Sequence, residues 1–178
     1  MRSQIVMALA ILASDPGSAQ VPTASPASYG PPIALDDALV LVERGRKLAE
    51  RCGLSMAFAV AEPSGELVAF VRMDDIPYAS TRLAQQKAPT SARFRMTTAQ
   101  FEERVQTGRV VLMSSDEVVA IVGGVPIVQD GRVMGAIGVS GGSAVQDAAI
   151  AAAAIAPEEN GTGREGASTD PCADRLAG

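Results

Sequence analysis

The stretch Gly123–Gly142, "GGVPIVQDGRVMGAIGVSGG", decides how the chain folds. Two β-prone runs, Val125–Gln129 and Arg132–Val139, flank Asp130-Gly131. An Asp-Gly pair between such runs is the strongest short-range signal for a two-residue type I′ hairpin, because both turn residues must take positive φ. A phosphate loop is excluded: neither Gly-x-x-x-x-Gly-Lys-Ser/Thr nor Gly-x-Gly-x-x-Gly is present to converge backbone N–H groups on an anion. Strand alternation along Arg132–Ser140 puts Val133, Gly135, Ile137 and Val139 on one face, and Met134, Ala136, Gly138 and Ser140 on the other. The second face is nearly free of bulk. It accepts either a close-packed helix or a flat ligand, and the helix that follows, Ala148–Ala156, is the obvious occupant. Ligand contact is then left to the two ends, Gly123-Gly124 and Ser140-Gly141. Gly138–Ser143 leads straight into that helix, whose first N–H groups receive either a small anion or only the Ser143 cap.

Working outward, Ser143 followed three residues later by Gln146 forms a capping box, and the helix it starts stops at Pro157. Upstream, Leu35, Ala38, Leu39, Val42, Gly45, Ala49 and Cys52 recur at helical spacing, with Gly53 as the stop. Met56–Ala61 and Leu67–Arg72 flank a Pro-Ser-Gly turn and predict a second hairpin. A helical pattern follows over Tyr78–Phe94, with Ser80 and Thr81 as available caps. Pro89 is expected to kink or split it. Thr97 or Thr98 caps a short helix through Val105, and the apolar runs Val110–Met113 and Val118–Val122 are expected as further strands. Helix, hairpin, helix, strands and helix in this order predict an α+β fold: a single domain with an antiparallel β-sheet flanked by helices.

The 178 residues suffice for one cored domain over residues 33–156. Residues 20–32, rich in Pro, Ser and Ala, read as an extended linker, and 157–178 as a disordered tail. Arg2, the apolar run Ile5–Ala13 and Gly17-Ser18-Ala19 have the layout of a signal peptide over 1–19, cleaved after Ala19, which places the mature protein in the periplasm or outside the cell. Nine apolar residues are too few for a stable membrane span. Cys52 and Cys172 are an even pair in what that reading makes an oxidising compartment, so one bridge is open to them; the other reading of Cys52 is a small buried hydrophobe.

The chain has no histidine. That removes His-based acid–base chemistry, Ser-His-Asp and Cys-His nucleophile systems and every His-containing metal site, and no metal centre is expected. A net charge of −5 and few aromatics leave no basic, base-stacking face, so nucleic acid is not an expected partner.

The opening stretch and its continuation to Ala151, with "ELVAFVRMDD" and "STRLAQQKAPTSARF" upstream, resemble the GlcG/HbpS-like family, which includes the C-terminal domain of PduO-type corrinoid adenosyltransferases. The resemblance covers roughly Ile33–Ala156. It implies a profilin-like α+β domain assembled into homo-oligomers, and a small-molecule ligand, with heme or a related tetrapyrrole as the candidate cofactor. Arg72, Lys87, Gly123, Gly124, Ser140 and Gly141 stand where recurrent motif residues stand and are the candidate ligand contacts. A charge at Arg72 or Lys87 suits a propionate or substrate carboxylate; the plain alternative is an ion pair with Asp74 or Glu62. Without histidine, iron ligation would fall to Met56, Met73, Met96, Met113, Met134, Cys52 or Tyr78, although methionines commonly serve only as core fillers. The competing readings are a cofactor-independent enzyme on a small organic acid, with Lys87, Glu62, Asp74 or Tyr78 moving a proton, and a structural partner of a sensor or catabolic system.

Overall fold

A computed structural model describes residues 27–157 and Cys172. Its centre is β5 (Arg132–Ser140), which pairs antiparallel with β4 (Gly124–Gln129) along one edge and with β2 (Ala57–Ala61) along the other. Beyond β2 lies β3 (Leu67–Arg72), also antiparallel. The Asp130-Gly131 turn takes φ of 49° and 72°, the two positive values that a type I′ hairpin requires. The Pro63-Ser64-Gly65 turn closes the other hairpin, with Gly65 at φ 90° and its N–H on Glu62 O. The fold class inferred from the sequence is thus the one observed: a single mixed domain with a helix-flanked sheet.

Among the described residues four α-helices flank the sheet: α1 (Leu35–Arg51), α2 (Tyr78–Phe94), α3 (Thr98–Gln106) and α4 (Ala144–Ile155). The expected occupant of the bulk-free face is corrected here. That face takes α2, whose Ala84 and Ala88 pack on Ala57, Ala59 and Ala61. A Cβ on Gly138 would lie 2.7 Å from Ala88 N, so the helix backbone rests where side chains are missing. Helix α4 joins α1 on the opposite face, where Ile150, Ala151 and Ala154 meet Phe58, Ile137 and Val139. Volume, not adjacency in the chain, matches helix to face: α4 carries Ile150, which needs the Ile/Val side to interdigitate.

Other local expectations are corrected as well. Helix α2 is not split at Pro89; it runs on to Phe94, where Arg95 ends it in the left-handed region at φ 55°. Pro89 is half-exposed, so the carbonyl of Gln85 that loses its partner lies on the solvent side. The helix is preceded by Pro77, and neither Ser80 nor Thr81 caps it. Val110–Met113 is not a strand but lies in a 3₁₀ turn, Val110–Ser114, and Val118–Val122 carries no strand either, both edges of β5 being occupied already. Within the proposed linker, Ser28–Tyr29 forms a short β1 parallel to β5 at Arg132 and Val133, just past the end of β2. Met134 also leaves its expected face. The β4–β5 register slips between Ile127 and Val128, so Met134 is the extra residue of a bulge and packs with the Ile137 cluster.

Cys52, the C-cap of α1, is bonded to Cys172, the sulfurs adjoining the α1/α4 core. Residues 1–19, expected from the sequence to be a signal peptide, and the tail apart from Pro157 and Cys172 lie outside the described residues. Among the described residues no helix is long and apolar enough to cross a membrane. The bridge spans 120 residues of chain, so Cys172→Ser should lower the unfolding free energy by about 2–5 kcal/mol. Urea denaturation of both proteins under oxidising conditions measures this, and coincident midpoints would contradict a stabilising bridge.

Candidate functional site

Lys87 lies on the sheet-facing side of α2, one residue from Ala88, and is fully buried. A buried ammonium needs partners. Its Nζ donates to Val139 O at 2.9 Å and to Asp147 Oδ2 at 2.8 Å. Asp147 belongs to the first turn of α4, on the other side of the sheet, and its Oδ1 accepts from Gly142 N at 3.0 Å. The Ser143–Gln146 capping box fixes that first turn. The ion pair therefore joins the two helical layers past the ends of β4 and β5. Gly123 leaves room for it: a Cβ there would lie 2.9 Å from Lys87 Nζ, and φ of 124° independently favours glycine. Gly124 N donates to the buried Thr98 Oγ1 at 2.8 Å, and a Cβ on Gly124 would come within 2.6 Å of Ser91 Oγ.

The electrostatics follow from burial. Desolvation pushes the Asp147 carboxyl up, opposed by Lys87 and by the N–H groups of Gly142 and Gly141. The same desolvation pushes the Lys87 ammonium down, opposed by Asp147 and more weakly by Glu102. The anion awaited at the start of α4 is thus the protein's own carboxylate.

Five of the six candidate ligand residues gather at this corner: Lys87, Gly123, Gly124, Ser140 and Gly141. Arg72 does not join them. It pairs with Ala57, which pairs with Ser140, so two strand spacings of about 4.8 Å each separate Arg72 from the corner. Arg72 lines a cavity of about 340 Å³ with Ser55, Asp74, Asp75 and the Arg46–Glu50 pair. The alternative weighed for Arg72 and Lys87, an ordinary ion pair, holds for Lys87, though with Asp147, and among the described residues Arg72 forms none with Asp74 or Glu62. Glu62 lies past the opposite end of β2, where it accepts from Ser64 Oγ. The four proton-transfer candidates do not converge: Lys87 is enclosed, Glu62 is at the far end, Asp74 is exposed, and Tyr78 is 91% exposed at the start of α2.

Asp147 is not among the candidate site residues drawn from the sequence, and Thr98 enters there only as a cap. The signal for both charged partners was helical spacing. Asp147 precedes Ile150 and Ala151 by three and four residues, and Lys87 shares the spacing of Ala84 and Ser91, so each charge falls on a buried face and requires the other.

An open apolar groove of about 470 Å³ lies between α1 and the β4–β5 hairpin, walled by Ile33, Val40, Leu41, Ile127 and Met134, with Asp37, Arg44 and Gln129 among its polar groups. Chain segment 30–33 runs along β5, with Gly30 N on Val133 O and Ile33 N on Met134 O, each at 2.9 Å. The β5 bulge delivers Met134 to this groove. The other iron-ligand candidates are placed differently. Cys52 is spent in the disulfide, Met56 is fully buried, and Met73 Sδ accepts the Met56 N–H. Met96 is half-buried, and Met113 stands 62% exposed on the 3₁₀ turn.

A helix-flanked sheet of this kind is shared with known proteins. The family described as haem degrading protein HbpS-like matches residues 33–156. GlcG of Escherichia coli K12 is 39% identical over 103 residues, which cover 58% of this chain and 77% of GlcG. The corrinoid adenosyltransferase PduO of Salmonella typhimurium LT2 is 30% identical over 137 residues, 74% of this chain but 41% of that longer protein. The PduOC:heme complex superposes with a TM-score of 0.65 at 27% identity, covering 70% of this chain and 93% of PduOC. An HbpS double mutant of Streptomyces reticuli, at 22% identity, shares the fold with a TM-score of 0.66 over 83% of this chain and 96% of its own. This chain belongs to the HbpS-like family.

Removing one member of the buried pair leaves the other charge uncompensated, so Asp147→Asn and Lys87→Met should each destabilise by about 3–5 kcal/mol. The double variant should cost much less than the sum. Chemical denaturation of the four proteins closes this double-mutant cycle, and additive losses would show that the two side chains are not coupled.

Proposed function

We propose that this protein binds heme or a related tetrapyrrole, and that it does so outside the cytoplasm. The observation that carries the reading is the groove between α1 and the β4–β5 hairpin, whose apolar walls suit a macrocycle and whose Met134 supplies a thioether. Its donor chemistry fits such a ligand, and Ile33, Leu41 and Ile127 would hold the ring. Arg44, which also donates to Ala156 O, would hold a propionate. Membership in a family described as haem degrading, and likeness to PduOC, solved with heme, support the ligand class. Bound there, the group would supply a redox-active iron. With no histidine in the chain, its hold rests on apolar burial and one soft sulfur donor. The Cys52–Cys172 bridge supports the extracytoplasmic setting, since such bonds persist in oxidising compartments.

Titration of the oxidised full-length protein with hemin should shift the Soret band at micromolar concentrations. Met134→Ala should alter the spectrum of the complex and weaken it about tenfold, a loss of about 1.4 kcal/mol. Arg72→Ala, on β3 at the edge of the sheet opposite β4, should leave affinity unchanged. Absence of any Soret shift, or an affinity indifferent to Met134 and lost with Arg72, would overturn the assignment.

A further inference from the structure

The cavity of about 340 Å³ at the end of β3 is charged where the groove beside α1 is apolar. Its Arg46 and Glu50 are already bonded to each other. Arg72, Asp74 and Asp75 are all exposed, and among the described residues their side chains make no ion pair or hydrogen bond. One cation and two carboxylates thus line a single hollow without neutralising one another. Local structure holds them there. Arg72 is the last residue of β3, and the turn at Asp74-Asp75, with Asp75 at φ 59°, follows at once. Beyond β2, β3 is an edge strand. Met73 N donates inward to Met56 O, so alternation along the ladder leaves the Arg72 N–H and C=O turned away from β2, without a strand partner. With the half-buried Ser55 hydroxyl, the hollow offers donors for a carboxylate and acceptors for ammonium groups.

The charge balance selects the ligand. Arg46 and Glu50 cancel, and Arg72 against Asp74 and Asp75 leaves one negative charge over. A simple carboxylate would meet Arg72 but be repelled by both aspartates, and a simple amine would leave the guanidinium unanswered. A divalent cation is a poorer fit still, because among the described residues no three His, Cys, Asp or Glu side chains are grouped to hold a metal ion. An amino acid with a cationic side chain answers every charge: its carboxylate pairs with Arg72, and its two cationic groups with Asp74 and Asp75. The volume suits a small molecule, and the charged walls do not suit a macrocycle. We infer that this cavity is a binding site for a free basic amino acid of about the size of lysine. The inference rests on no part of the tetrapyrrole reading.

Isothermal titration calorimetry of the oxidised full-length protein with L-lysine tests it. L-Norleucine, which lacks the side-chain ammonium, and cadaverine, which lacks the carboxylate, are the controls. L-Lysine should bind at submillimolar concentration and each control at least about tenfold more weakly. Arg72→Ala should weaken L-lysine by at least about tenfold and strengthen cadaverine, since it removes both the carboxylate's partner and a repelling cation. Asp74→Asn together with Asp75→Asn should also weaken L-lysine, and should abolish its advantage over L-norleucine. Circular dichroism of these exposed-site variants should be unchanged. No heat with L-lysine at millimolar concentration, equal binding of the three compounds, or L-lysine binding indifferent to Arg72 would overturn the inference. Hemin titration of Arg72→Ala, which keeps the groove intact, reads the tetrapyrrole assignment separately.

Discussion

A charged pair enclosed between two helical layers sets terms for everything around it. Lys87 and Asp147 come from helices on opposite faces of the sheet, and their bond passes the ends of β4 and β5. Removing both from water is unfavourable, and only close geometry with further hydrogen bonds offsets it. Val139 O and the Gly142 N–H provide those bonds. Several local features answer to this requirement. Gly123 has to lack a side chain, the turn at Gly141-Gly142 has to aim its N–H groups at a carboxylate, and α4 has to begin at Ser143 so that Asp147 falls in its first turn. The glycine-rich corner is therefore built to admit a salt bridge.

That arrangement redirects the search for a ligand surface. The corner that looked most like an anion site already holds an anion, and the lysine best suited to a propionate has both a carboxylate and a carbonyl on its ammonium. What remains open is the groove beside α1, and a single irregularity in the sheet shapes it. Without the slip between Ile127 and Val128, strand alternation would turn Met134 to the α2 side. With it, a thioether joins an apolar wall in a chain that has no imidazole to offer.

The parts of this fold that could be read from the sequence are those governed by local rules. Asp130-Gly131 allows one kind of turn, the capping boxes at Ser143 and Thr97 name their helices, and the apolar spacing of α1 is unambiguous. The errors arose where tertiary context decides. Pro89 fails to divide α2 because the sheet holds the helix on both sides of it, through Ala84, Ala88 and Ala92, all buried. The valines at 110 and 111 favour strand but find no free edge at β5. Ser28–Tyr29 resemble linker by composition, yet Arg95 stacks on Tyr29 at 4.6 Å and donates to Ala27 O, tying the segment down. Nothing local in "QQKAP" or "VQDAA" says that Lys87 and Asp147 meet. Their shared property, a charge at a core-facing helical position, becomes visible only when both helices are considered together.

Where the ligand sits is the decisive question, and hemin's paramagnetic iron can answer it. In an NMR titration of the isotope-labelled protein, resonances of Ile33, Leu41, Ile127 and Met134 should broaden first, while Gly123, Ser140, Gly141 and the Arg72 cavity keep their line widths. Broadening that begins at the glycine corner or at Arg72, with the groove unaffected, would contradict the placement of the site.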